Sequence, residues 1–224
     1  MILPLLRAPV GPHAGQPVLA AGTPLDEATV AVVAVHGRGG DARDMLGLGA
    51  TLGTPDVAFC APQAVGHTWY PMRFLAPLED NEPWLSSALD FLAATVDTIE
   101  ARGIPRRRIV LLGFSQGGCL ALSFGAMHAT RWGGMVGLSA GLIGPPGTDW
   151  AFPPALDGTP VFLGCSDHDP HIPNARLAES AQALERLGGA VTLRVYPGLG
   201  HTVNEDELEH VRRVIAAAGK PDAA

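Results

Sequence analysis

A serine between two glycines, Gly113-Phe114-Ser115-Gln116-Gly117, ends the aliphatic run Arg108–Leu112 and opens into the apolar helical pattern Cys119–Met127. Strand, sharp turn and helix in that order form the context in which G-x-S-x-G acts as a nucleophile elbow. The glycines are steric requirements, because a Cβ beside the strained turn would strike the neighbouring strand or helix. Such a serine projects above the sheet, with the N–H groups of a helix start behind it to favour developing negative charge. Acyl transfer through Ser115 is the chemistry this predicts.

A serine nucleophile needs a base, and the base needs an orienting acid. Among 8 histidines, His201 follows the strand-like Val191–Tyr196 through the glycine-rich turn Pro197-Gly198-Leu199-Gly200, a loop able to carry an imidazole to the elbow. His210 reads as a surface residue among acidic neighbours. His128, closing the helix after the elbow, reads as a structural residue near the C-terminal dipole. For the acid, the loop Cys165-Ser166-Asp167-His168-Asp169-Pro170-His171 follows another strand pattern, and both Asp167 and Asp169 qualify. The order Ser, Asp, His is that of the α/β-hydrolase arrangement. A metal reading of His168, Asp169 and His171 lacks a further ligand at recognisable spacing.

Two backbone donors should receive the oxyanion. One is the N–H of Gln116, next after the nucleophile. The other is expected from an earlier strand-to-helix loop, and His36-Gly37-Arg38-Gly39-Gly40 fits, with the Arg38 N–H as the donor. That loop matches neither a P-loop nor a dinucleotide fingerprint. His36 is expected to bond locally and orient it. The segment from Trp69 through Leu75 concentrates aromatic residues around Pro71; Trp69, Tyr70, Met72, Phe74 and Leu75 either line a substrate pocket or form a satellite apolar cluster.

These side chains must be positioned by alternating elements. Strand patterns fall at 30–36, 57–61, 109–114, 134–139, 161–165 and 191–196, mostly as continuous apolar runs of the kind covered on both faces. Helical patterns fall at 42–52, 83–102, 116–128, 175–187 and 205–218. The alternation predicts a mostly parallel sheet with helices on both faces. Residues 19–26 are ambiguous between an edge strand and a loop, and residues 141–160, rich in Gly and Pro, read as a loop above the sheet. No linker or repeat divides the chain, so residues 1–224 are expected to form a single domain.

Composition narrows the function. Apolar residues are 47% and charged residues 17% of the 224, which predicts a large core. A net charge of −7 argues against nucleic acid or an anionic membrane as partner. The one basic cluster, Arg106-Arg107-Arg108, reads as a solvated loop end. The three cysteines, Cys60, Cys119 and Cys165, suit neither a disulfide framework nor a zinc site and are expected to be buried thiols. The N-terminal apolar run is too short for a signal peptide, and no stretch reaches the length of a membrane span. A cytoplasmic location without stable membrane insertion is the expectation.

As a set, Val35–Gly40, Ala61-Pro62-Gln63, Trp69-Tyr70, Gly113–Gly118, Leu138–Gly141, Asp169-Pro170-His171-Ile172-Pro173 and Gly200-His201 resemble the bacterial phospholipase/carboxylesterase family of α/β-hydrolases, relatives of the acyl-protein thioesterases. The resemblance covers nearly the whole chain. It implies an α/β-hydrolase fold without a large cap domain, no cofactor and no metal. In the family the acid stands immediately before proline, which selects Asp169 over Asp167. The first oxyanion donor falls on Arg38. The family's His-Gly before the acid is replaced here by Gly164-Cys165-Ser166, which leaves the substrate subgroup open. The activity implied is a serine carboxylesterase with the triad Ser115, His201 and Asp169, acting on a small-molecule ester or a thioester and compatible with a homodimer. Lysophospholipase or acyl-protein thioesterase activity is the sibling reading, and a non-catalytic ligand-binding module on the same fold is the rival.

Overall fold

A computed structural model describes residues 1–220. The expected alternation of elements is present: strands β1 (Ile2–Leu3), β2 (Val18–Gly22) and β3 (Val30–Val35), helix α1 (Ala42–Leu52), β4 (Val57–Pro62), α2 (Trp84–Ala101), β5 (Ile109–Phe114), α3 (Ser115–Met127), β6 (Gly134–Leu138), β7 (Pro160–Ser166), α4 (Asn174–Arg186), β8 (Ala190–Tyr196) and α5 (Glu205–Ala218). The strands form one eight-stranded sheet in the order β1-β2-β4-β3-β5-β6-β7-β8. From β4 to β8 every neighbouring pair is parallel, while β2 runs antiparallel to β4 and β1 antiparallel to β2. The ambiguous stretch at 19–26 thus begins as a strand, second in the sheet rather than at its edge, which is taken by β1; a run as short as β1 carries no alternation from which sequence could predict it.

Period-two alternation sorts each strand onto two cores. Val30, Val32 and Ala34 of β3 pack with α1 and α5, whereas Ala31, Val33 and Val35 pack with α2, α3 and α4. Val57 and Phe59 of β4 join the first core and Ala58 and Cys60 the second. Both faces being covered is why these runs read as continuously apolar. Helix α1 starts at a capping box, Asp41 accepting from the Asp44 N–H while the Asp44 carboxylate accepts from the Asp41 N–H, and ends at Gly53 in the left-handed region.

Residues 141–159 contain no helix or strand, the expected loop ending one residue early because Pro160 opens β7, but they are held down. Arg176 of α4 is nearly fully buried and donates to the carbonyls of Leu142 at 3.0 Å, Gly144 at 2.6 Å and Pro145 at 3.1 Å. Its guanidinium lies 5.0 Å from the Trp150 ring centre. The basic cluster at 106–108 is likewise not wholly solvated: Arg106 pairs with Glu100 at 3.0 Å and covers Trp132. His210 is a correction as well, being half-buried and stacked on Phe162 with ring centres 4.4 Å apart. Phe162 faces α5 from β7, so the inner side of that helix turn reaches His210. No helical cap is inserted above the sheet among the described residues.

Candidate active site

The carboxyl ends of β3, β5, β7 and β8 deliver the site, as open parallel sheets do for their ligands. At the end of β5, Ser115 sits at φ 52°, a strained left-handed conformation for a residue with a side chain. The turn is possible because Gly113 and Gly117 lack Cβ atoms. A Cβ on Gly117 would overlap the carbonyl oxygens of Val35 and His36, and one on Gly113 would overlap the Gly117 carbonyl.

Three side chains from three loops meet here. The Ser115 hydroxyl lies 2.9 Å from His201 Nε2, and His201 Nδ1 lies 2.7 Å from Asp169 Oδ2. Asp169 has no hydrogen to offer, so Nδ1 carries the proton and Nε2 presents its lone pair to the Ser115 hydroxyl. The Asp169 side chain is fully buried and His201 is 19% exposed. Burial alone would raise the Asp169 pKa. Hydrogen bonds from His201 and from the N–H groups of His171 and Ile172 outweigh it and hold the carboxyl below the ordinary aspartate value. The Cys165 thiol also points to Asp169 Oδ2, at 3.6 Å, a contact not anticipated from sequence. With both Asp169 oxygens so engaged and His168 turned to solvent, the residues of the metal reading do not converge. Among the described residues no group of three or more His, Cys, Asp or Glu could hold a metal ion.

Asp167 stands elsewhere, as a clamp. Its Oδ1 accepts from the Gly198 N–H at 2.8 Å, and the neighbouring Ser166 hydroxyl accepts from the Gly200 N–H at 3.0 Å. The Gly198 bond is the main reason its pKa is lowered. Together these contacts tie the loop carrying His201 to the loop carrying Asp169. Ser166 and Ser139, the other serines at strand ends, are both fully buried.

Arg38 and Gln116 flank Ser115. The Gln116 N–H lies in the first turn of α3, where no intrahelical acceptor exists. The Arg38 N–H stays outside the turn bonds at this loop, which run from Gly39 to His67 and from Gly40 to Gly37. His36 fixes the loop from below. Its Nε2 accepts from the Ala64 N–H, so Nδ1 carries the proton and donates to the Gly37 carbonyl at 2.8 Å. Burial lowers its pKa, in keeping with this neutral tautomer. His13 and His67 also bond backbone carbonyls, those of Trp69 and Gly40, which removes two more histidines from competition.

The side chains of Arg38 and Gln116 do something sequence did not suggest. Gln116 accepts from the Trp69 N–H at 2.9 Å and donates to the Tyr70 carbonyl at 2.8 Å. Arg38 donates to Thr68 Oγ1 and to the carbonyls of Tyr70, Pro71 and Met72 over 2.7–3.0 Å. The aromatic loop is therefore gripped by its backbone, and that grip decides which of its side chains face the site. A cavity of about 280 Å³ over Ser115 is lined by Tyr70, Phe74, Phe114, Cys119 and Ile172, with Arg38, Arg73, His171 and His201. Tyr70 and Phe74 line it as expected. Trp69, Met72 and Leu75 do not, which corrects three of the five expected pocket residues. Trp69 is turned wholly into the core, its indole N–H donating to the His36 carbonyl at 2.8 Å and its ring set against His13, His36 and Phe91. Met72 is half exposed, and Leu75 packs against the core. Phe114, whose ring centre is 4.9 Å from that of His201, Cys119 and Arg73 were missed. Phe114 and Cys119 belong to elements already read as strand and helix, and nothing in their spacing marks them. The three cysteines are buried free thiols, and burial pushes Cys60 and Cys119 up to about 12.

Comparison with known proteins bears on the same elements. Residues 22–218 match the family model described as Phospholipase/Carboxylesterase. The crystal structure of a phospholipase/carboxylesterase from Dyadobacter fermentans superposes with a TM-score of 0.86 at 40% identity, covering 90% of this chain and 97% of that one. An acyl-protein thioesterase 1 from Gibberella zeae is 40% identical over 111 residues, 49% of this chain and 47% of its own length. A probable carboxylesterase from Oryza sativa subsp. japonica is 30% identical over 157 residues, 66% of this chain and 57% of its own length. The chain thus spans about half the length of these curated relatives. No helix among the described residues is long and apolar enough to cross a membrane.

Proposed function

This chain belongs to the phospholipase/carboxylesterase family, and from that premise we propose that it is a serine carboxylesterase of small esters, with Ser115, His201 and Asp169 as its catalytic triad. The observation that carries the reading is the unbroken relay from Ser115 through His201 to Asp169, at 2.9 and 2.7 Å. Ser115 Oγ attacks the ester carbonyl and its proton passes to His201 Nε2. The new Oγ–C bond makes a tetrahedral oxyanion, which the Arg38 and Gln116 N–H groups receive. As the C–O bond to the alcohol breaks, His201 returns the proton to the leaving oxygen. Water, activated by His201, then releases the acid and restores Ser115. Asp169 holds the imidazole tautomer and stabilises the imidazolium. All of this chemistry uses groups of one sheet, and we treat residues 1–224 as a single working domain.

Cavity size favours short esters over long acyl chains, since about 280 Å³ stands at the small end of small-molecule sites. The test is active-site labelling with a fluorophosphonate together with hydrolysis of p-nitrophenyl esters of increasing acyl length. Labelling at Ser115, lost in Ser115→Ala along with turnover, is the expected result. Labelling at Ser139 or Ser166, or turnover that survives Ser115→Ala, would reject the triad.

A further inference from the structure

The cavity over Ser115 contains two arginines that are used in opposite ways. Arg38 is consumed by the loop, its guanidinium bonded to four oxygens of residues 68–72. Arg73 lines the same cavity, and among the described residues its guanidinium has no hydrogen bond, ion pair or ring contact. Its backbone, in contrast, is held firmly. Asn81 is fully buried and uses its side-chain amide entirely on this loop, accepting from the Met72 N–H at 2.8 Å and donating to the Arg73 carbonyl at 3.2 Å. A buried asparagine thus fixes where the Arg73 side chain begins.

The charge around it is one-sided. No Asp or Glu lines the cavity, although the chain as a whole carries −7. The nearest carboxylate in the mechanism, Asp169, is buried and bonded to His201. A neutral ester would offer the Arg73 guanidinium no counter-charge, whereas an ester bearing a carboxylate or phosphate at its far end would supply one. A guanidinium matches either anion in two parallel hydrogen bonds. The apolar walls, Phe74, Phe114 and Ile172, suit the short carbon chain between the scissile carbonyl and that charge.

We infer that Arg73 gives the cavity an anion subsite, and that the preferred substrate is a short ester carrying a carboxylate or phosphate group away from the scissile bond. The inference rests on the esterase reading above. It is tested by competition against 4-nitrophenyl acetate hydrolysis, using ethyl pentanoate, monoethyl glutarate and ethyl 4-phosphonobutanoate. The first two differ essentially in a methyl group replaced by a carboxylate, and the third supplies the phosphate-like head. In the wild type at least one anionic ester should compete about tenfold or more better than ethyl pentanoate, the stronger of the two identifying the head group. Arg73→Gln should reduce that ratio by about tenfold or more, and Arg73→Glu should reverse it. Arg73 is exposed, so neither variant should alter the melting temperature much. Equal competition by all three esters, or a ratio unchanged in Arg73→Gln, overturns the subsite while leaving the esterase reading intact. Absence of 4-nitrophenyl acetate hydrolysis together with an unlabelled Ser115 would remove the esterase reading and the subsite with it.

Discussion

Glu207 makes the sharpest physical test of the fold around the His201 loop. It lies in the first turn of α5 and is fully buried. One carboxylate oxygen accepts from the Asn204 N–H at 2.9 Å as half of a capping box, and the other has no partner among the described residues. That second oxygen is packed so closely over Gly164 of β7 that a Cβ there would overlap it. Burial pushes the Glu207 pKa from 4.5 up to about 7. A carboxyl whose folded pKa is raised binds more protons folded than unfolded, so its contribution to stability is complete below pH 4.5 and is lost as pH rises through about 7. The full penalty for the ionised form is about 3 kcal/mol. Glu207→Gln keeps an acceptor for the Asn204 N–H and stays neutral at every pH. Its stability gain over the wild type should therefore widen by about 2 kcal/mol between about pH 5 and pH 8, as integration of the linkage relation gives. For a chain of this length that is about 4–8 °C in melting temperature. Urea unfolding of both proteins at the two pH values measures it, and every other titrating group cancels in the difference. A gap that is the same at both pH values, or larger at the acidic one, would refute the buried, half-satisfied carboxyl.

Other expected outcomes concern the site. Asp169→Asn should lower kcat by a factor on the order of 10⁴, by analogy with triads in general, because His201 loses the anion that sets its tautomer. Asp167→Asn keeps the oxygen that accepts from Gly198 and should cost far less; Asp167→Ala, which frees that N–H, should cost more than Asp167→Asn in kcat measured with a p-nitrophenyl ester. Equal losses for Asp167→Asn and Asp169→Asn would reverse the assignment. Trp69→Ala should destabilise by about 3–5 kcal/mol in urea unfolding, since a fully buried indole and its bond to the His36 carbonyl both go. An unchanged unfolding midpoint would contradict its place in the core. Gly117→Ala should give a destabilised protein with little activity, because the added carbon overlaps the Val35 and His36 carbonyls, and a well-folded active variant would disprove that packing.

Much of the site and fold is legible in the sequence itself. Chemistry confined to a short stretch is written locally: Gly113, Ser115 and Gly117 announce the elbow because only glycine fits where backbone carbonyls press on a Cβ. Strands covered on both faces announce themselves as unbroken apolar runs, so the boundaries of β3 and β5 needed little change. The acid was harder. Asp167 and Asp169 have similar neighbours in sequence, and composition alone left both open.

What only the tertiary structure decided depends on which groups meet across long separations. Ser115 and His201 are 86 residues apart, and only the parallel sheet, by ending β5 and β8 at the same edge, brings them to 2.9 Å. The same holds for the aromatic loop, whose residues are alike in apolarity yet differ in fate. Hydrogen bonds from Gln116 and Arg38 grip its backbone, turning Trp69 into the core and leaving Tyr70 and Phe74 on the cavity wall. Side-chain type states what a residue can do. Which way it faces is set by backbone partners that, like Arg38 and Gln116, come from distant strand ends, and no local pattern encodes them.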